Sequence, residues 1–190
     1  MELLVVGASW GGLHAVSSLL RQLPDDLDVP VVIAQHRSPD PRADVLLELL
    51  AGHTERRLSE PDDKEPLRPR TIYLAASDYH LLVERGSLAL SLEGRIQYSR
   101  PSIDVLFESA ADAYGPELVA IILTGANSDG AAGAAAVARA GGTVVVEDPA
   151  SAERPEMPRA ALAAVPDALV RPLEALGATL AELARGRSLA

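Results

Sequence analysis

The chain has 190 residues, is 48% hydrophobic and carries a formal net charge of −10 at pH 7. That length can bury a sizeable core in one globular domain, read here as residues 1–190, and the absence of cysteine excludes a disulfide framework, a thiolate metal site and a cysteine nucleophile. The acidic balance argues against nucleic-acid binding, because phosphate contacts need clustered Lys and Arg, and Lys64 is the only lysine available for Schiff-base or phosphate chemistry.

The start, "MELLVV", has an acid at position 2, no basic segment and only a short apolar run, so it does not read as a signal peptide. No stretch approaches the ~18 apolar residues of a membrane span. The expectation is a cytoplasmic domain without membrane insertion.

In chain order, "ELLVV" is a continuous apolar run, as expected of a strand buried on both faces. In "GGLHAVSSLLRQL", Leu13, Val16, Leu19, Leu20 and Leu23 have helical spacing, and Pro24 ends the helix. "VPVVIAQ" is a second buried strand, which completes a βαβ unit with parallel strands and a right-handed crossover. "ADVLLELLA" is a short helix stopped by Gly52. The polar, proline-rich stretch that follows reads as loop or edge strand. "TIYLAA", "HLLVER" and "SLALSLE" are strand-like, the last two flanking a Gly86-Ser87 turn, so the middle of the chain is expected to be antiparallel. "SIDVLFESAADAY" is helical between Pro101 and Gly115. "ELVAIIL" is the most apolar strand, and "TGANSDGAAG" is a loop leading into the alanine-rich helix "AAVARA". "TVVVE" is a strand, and "MPRAALAAV", "ALV" and "PLEALGATLAELA" end the chain as helix, strand and helix. The fold class is α/β, an open, mostly parallel, doubly wound sheet in a three-layer α/β/α arrangement with an antiparallel hairpin in mid-chain.

In such sheets ligands bind outside the carboxyl ends of the strands. Ser9 follows the first strand, His36 the second, and Asp129 lies just after "ELVAIIL". Three separate strand ends therefore bring Ser9, His36 and Asp129 to one edge. A serine hydroxyl is a weak nucleophile that needs a base in hydrogen-bond reach, and the base needs an acid to fix its tautomer. Glu147 and Asp148 also follow a strand and compete with Asp129. His80 precedes its strand and is assigned to the opposite edge; His14 and His53 lie on or after helices. These three histidines are read as structural or solvated.

Gly7-Ala8-Ser9-Trp10-Gly11 fits G-x-S-x-G, in which the serine is lifted on a sharp strand-to-helix turn and helix N–H groups can hold an oxyanion. Taken alone, the same serine also suits a plain helix N-cap. The order Ser, His, Asp departs from the Ser, acid, His order of lipase-type hydrolases. A dinucleotide site is disfavoured: Gln35-His36 stands where a ribose-binding acid is needed, and Lys64 has Glu60, not tyrosine, four residues before it.

The blocks "VVGASWGG", "VVIAQHRSP", "TIYLAASDYHLLVERGSLALSL", "YSRPSIDVLFESAA", "VAIILTGANSDGAAG" and "TVVVEDPASAERPEMPRAAL", in this order, resemble the catalytic domain of the CheB-type chemotaxis protein-glutamate methylesterases. The resemblance implies a serine esterase that hydrolyses γ-glutamyl methyl esters on the cytoplasmic helices of chemoreceptors to glutamate and methanol, some members also deamidating glutamine. It places the nucleophile on Ser9, the base on His36 and the acid on Asp129, with no metal or organic cofactor. Backbone N–H groups of Trp10 and Ala126 are the expected oxyanion donors. Three features depart from the pattern. Trp10 stands where the family usually has Thr, Gly125-Ala126-Asn127-Ser128-Asp129-Gly130 replaces the usual G-M-G-x-D-G, and the expected form is a stand-alone one, without the receiver domain that full-length members often carry. The last admits control by a separate regulatory protein. The first two motivate an alternative, a regulatory or binding module of the same fold with altered catalysis.

Overall fold

The computed structural model describes residues 1–37 and 43–186. Seven strands form one sheet: β1 (Leu3–Ala8), β2 (Val31–Gln35), β3 (Arg57–Ser59), β4 (Thr71–Leu74), β7 (Leu118–Ile122), β8 (Thr143–Glu147) and β9 (Leu169–Arg171). Their order is β3-β4-β2-β1-β7-β8-β9 and every neighbouring pair is parallel. The antiparallel part is confined to β5 (His80–Glu84) and β6 (Ser87–Ser91), which pair with each other in a separate sheet. "TIYLAA" thus belongs to the parallel sheet, and the polar stretch before it supplies a short edge strand.

The alternation of side chains along β1 builds two cores. Leu3 and Val5 join Tyr73, Phe107 and Val146 on one face; Leu4 and Val6 join Leu19, Ile33 and Leu180 on the other. Helices α1 (Gly12–Gln22), α2 (Ala43–Ala51) and α6 (Leu176–Ala184) supply the second face. Helices α3 (Ile103–Tyr114), α4 (Ala131–Arg139) and α5 (Glu156–Ala164) cover the first, together with the hairpin. The hairpin is tied to α3 where the Val83 N–H donates to Ser109 Oγ at 3.0 Å.

The alanine-rich helix starts four residues earlier than its composition suggests, because Gly133 belongs inside it. A Cβ at 133 would stand 2.6 Å from Phe107 Cβ, so the missing side chain is what lets α3 and α4 approach. That approach fixes the site, since both helices begin beside it.

The chain reverses its direction of growth between β1 and β7. From β1 it proceeds to β2 and β4 on one side, then returns to place β7 on the other. The carboxyl ends of β1, β2 and β7 therefore border the switch point where open α/β sheets bind ligands.

Candidate active site

The loop after β1 is held rigidly. The Ser9 N–H donates to Thr124 O at 3.0 Å, and Ser9 O accepts from the Gly12 N–H at 2.9 Å and from Gln35 Nε2 at 2.8 Å. The His36 N–H continues the β1–β2 ladder by donating to Ala8 O at 2.9 Å. The loop after β7 then passes over both. A Cβ on Gly125 would stand 2.9 Å from Ser9 Cβ and 2.8 Å from Met157 Sδ, so only glycine lets this loop close on the serine.

These loops bring together the three residues that strand-end geometry selects. Ser9 Oγ lies 3.1 Å from His36 Nδ1, and His36 Nε2 lies 2.6 Å from Asp129 Oδ2. The imidazole thus donates through Nε2–H to the carboxylate and accepts the serine hydroxyl at Nδ1. Asn127 Nδ2 at 3.4 Å and Ser99 Oγ at 3.5 Å also face Nδ1.

Asp129 is fully buried, and its carboxylate is caged. Oδ1 accepts from Ser102 Oγ at 2.9 Å and from the Asp104 N–H at 3.0 Å; Oδ2 accepts from the Ile103 N–H at 2.8 Å as well as from His36. Burial pushes its pKa up, but the His36 hydrogen bond and the Asp104 and Ile103 N–H groups outweigh it and hold the carboxyl below its ordinary range. Two of those N–H groups are free first-turn donors of α3, so the catalytic candidate doubles as an anion at a helix N-terminus.

Asp104 returns the favour to α4. Its Oδ1 accepts from the Gly130 N–H at 2.9 Å and the Gly133 N–H at 2.8 Å. Each helix start is thus capped by an aspartate near the start of the other. Burial, followed by the charge of Asp129, raises Asp104 to about 6 even though the Gly133 N–H pulls it down. A carboxyl raised in the folded state takes up its proton there before the unfolded chain does. Its ionisation therefore costs stability above about pH 6, and the cost fades as pH falls towards the ordinary carboxylate range near ~4. We expect Asp104→Asn to be more stable relative to wild type at pH 8 than at pH 4.5, by on the order of 1 kcal/mol after allowance for solvent screening. Urea unfolding at the two pH values checks this; a difference of the opposite sign would remove the raised carboxyl from the account.

The other candidates fall elsewhere. Glu147 is buried, which raises its pKa, and accepts the Thr124 N–H at 2.7 Å, so it braces the loop after β7 and does not touch His36. Asp148 Oδ1 accepts the Ala150 N–H at 2.8 Å and caps its own turn. Lys64 pairs with Glu84 on the hairpin at 2.7 Å. His53 Nδ1 accepts from Arg21 at 3.0 Å. The placement of His80 at the opposite edge is corrected: its strand belongs to the small sheet, so the parallel-sheet rule does not apply to it. Buried His80 accepts the Ser102 N–H on Nδ1 at 3.2 Å and donates from Nε2 to Gly94 O at 3.0 Å, directly behind the Asp129 cage. Sequence reasoning missed Ser99, Ser102, Asp104 and Asn127; the signal for Ser102 was present in its place as the N-cap of α3.

Ser9 lies where two open clefts meet. One, of about 640 Å³, runs along α1 past Gly12, His14, Ser17 and Gln35; the other, of about 410 Å³, runs past His36, Arg95, Tyr98 and Asn127. Neither the Trp10 nor the Ala126 backbone N–H donates to another described residue; Trp10 follows Ser9, and Ala126 follows Gly125, the residue that packs on Ser9. Among the described residues no cluster of His, Cys, Asp and Glu is placed to hold a metal ion, and no helix is long and apolar enough to cross a membrane.

The family model for CheB methylesterase matches residues 4–180. A Leptospira interrogans protein, named provisionally as a protein-glutamate methylesterase/protein-glutamine glutaminase, is 41% identical over 165 residues, 86% of this chain and 84% of its own length. A Nocardioides protein-glutamate methylesterase/protein-glutamine glutaminase is 40% identical over 98% of this chain but only 52% of its own length. The crystal structure of the Thermotoga maritima CheB methylesterase catalytic domain superposes with a TM-score of 0.89 at 30% identity, covering 96% of this chain and 98% of that one. With the sheet order, the Ser-His-Asp geometry and these matches in agreement, the chain belongs to the CheB methylesterase family.

Proposed function

We propose that residues 1–190 act as one catalytic unit in the cytoplasm, hydrolysing γ-methyl esters of glutamate on a chemoreceptor-like protein. The observation that carries this reading is the unbroken relay from Ser9 Oγ through both ring nitrogens of His36 to Asp129. His36 Nδ1 takes the hydroxyl proton as Ser9 Oγ attacks the ester carbonyl. Asp129 holds the Nε2–H tautomer and stabilises the imidazolium that forms. The oxyanion is held by the Trp10 and Ala126 N–H groups, with the N-terminus of α1 adding a favourable field. The C–O bond to methoxide breaks, and His36 returns the proton so that methanol leaves. A water, deprotonated by the same nitrogen, attacks the acyl-serine and releases glutamate and free Ser9. With a glutamine side chain the same steps expel ammonia, which suits the paired names of the relatives.

Two open clefts meeting at Ser9 suit a long substrate lying across the serine better than a small molecule in a pocket. The test is methanol release from a methylated receptor fragment, with mass-spectrometric detection of a fluorophosphonate adduct on Ser9. We expect methanol and glutamate in equal amounts and one adduct. Exposed Trp10 at the mouth favours a second reading, a binding module that kept the fold. No methanol together with no adduct would select it.

A further inference from the structure

Trp10, the one tryptophan, is 61% exposed although it adjoins the serine. The Arg154 guanidinium stacks over its ring, Cζ lying 5.4 Å from the centroid, and makes no ion pair with another described residue. The backbone beneath this pair is fixed into the site. The Arg154 N–H donates to Thr124 Oγ1 at 2.8 Å, Arg154 O accepts the Gly125 N–H at 3.0 Å, and Thr124 Oγ1 donates to Trp10 O at 3.0 Å. Arg154, in the loop between β8 and α5, is therefore braced against the two loops that carry Ser9 and Asp129.

A cation without an ion-pair partner here stands against a chain whose net charge is −10. The cleft on the His36 side is lined by Arg37, Arg95 and Arg100 and by no acid, whereas the cleft along α1 includes Glu153. Arg37 is paired with Glu60, and Arg95 and Arg100 with Asp78, whereas the Arg154 guanidinium makes no hydrogen bond to another described residue. A guanidinium held over an indole face by a cation–π contact leaves its N–H donors unused by that contact, and a guanidinium can receive a carboxylate with two parallel hydrogen bonds.

Resting on the methylesterase reading, we propose that Arg154, oriented by Trp10, is a specificity-determining residue that binds a carboxylate flanking the esterified glutamate, so that the substrate is an acidic segment of protein. On a helix, side chains three or four positions apart lie ~5–6 Å apart, so an acid one turn from the ester can reach Arg154 while the ester carbonyl meets Ser9. The contact neutralises locally the repulsion that an acidic substrate meets from this acidic chain.

The test uses two helical glutamate-methyl-ester peptides that differ only in Glu against Gln one turn from the ester, with p-nitrophenyl acetate as a small ester that cannot reach Arg154. Wild type should prefer the Glu peptide by ~10-fold in kcat/KM, through KM, and the preference should shrink with added salt. Arg154→Ala should erase the preference while leaving the Gln peptide and p-nitrophenyl acetate unchanged, and Arg154→Lys should restore part of it. Equal cleavage of the two peptides by wild type, or an equal loss on both in Arg154→Ala, overturns the assignment and leaves the methylesterase reading standing. Turnover of p-nitrophenyl acetate with neither peptide cleaved overturns both.

Discussion

Replacing Ser9 with alanine is expected to lower methyl-ester hydrolysis by at least ~10³-fold and to abolish fluorophosphonate labelling, while leaving stability within ~0.5 kcal/mol. The activity loss follows from removing the nucleophile itself: among the described residues no other hydroxyl has both His36 within reach and the strand-to-helix turn beneath it. Ser99 Oγ also faces His36 Nδ1, but at 3.5 Å and just ahead of α3 instead of on the turn after β1. The small stability effect follows because the backbone of residue 9, not its hydroxyl, carries the loop's hydrogen bonds to Thr124, Gly12 and Gln35. Steady-state rates and a urea titration on the same preparations check both halves. The N-cap of α1 is Gly11 and the Ser9 hydroxyl caps nothing, so a tenfold loss or less would mean that hydrolysis runs by a route that does not use Ser9.

Asp129→Asn should damage both chemistry and fold. The carboxylate accepts four hydrogen bonds, from Ser102, Ile103, Asp104 and His36, inside a fully buried site. An amide offers one oxygen for this, and its NH2 turns two donors against N–H groups that need an acceptor. We expect kcat to fall by ~10³- to 10⁴-fold, because His36 is no longer held in the Nε2–H tautomer and its imidazolium loses its counter-charge. We expect a loss of ~2–4 kcal/mol in stability, because helix N–H groups are left buried and unpaired. The pH dependence has a definite sign. A carboxyl held below its ordinary range contributes stability that is fully present above the unfolded-state pKa near ~4 and is lost as pH falls towards its lower folded value. The stability gap between wild type and Asp129→Asn should therefore narrow below about pH 4, opposite in sense to the Asp104→Asn comparison. A variant with unchanged kcat would remove Asp129 from the relay.

Most of the scaffold was legible because its signals are local. Unbroken apolar runs such as "VVI" and "LVAII" specify strands covered on both faces, and the spacing of Val16, Leu19 and Leu20 specifies the buried stripe of α1. The parallel, doubly wound class follows from their alternation, and the strand-end rule then picks Ser9, His36 and Asp129 out of many polar residues. Misplacements came where a neighbour in space overrules the local signal. Gly133 looks like a helix breaker, yet it sits inside α4 because Phe107 needs the space a side chain would fill. His80 was assigned by a rule for parallel sheets, yet its strand belongs to another sheet.

Periodicity, turn residues and strand ends are properties of short segments, so the elements, their succession along the chain and the three side chains that meet could all be read before folding. How the acid is held follows from packing alone: Asp129 and Asp104 each cap the helix beside the other, and His80 and Ser102 close the cage behind them. Packing also places Arg154 on Trp10 at the mouth of the site. Those contacts join residues distant along the chain, and their energies depend on burial and on which N–H groups are left without partners, quantities that exist only once the chain has folded.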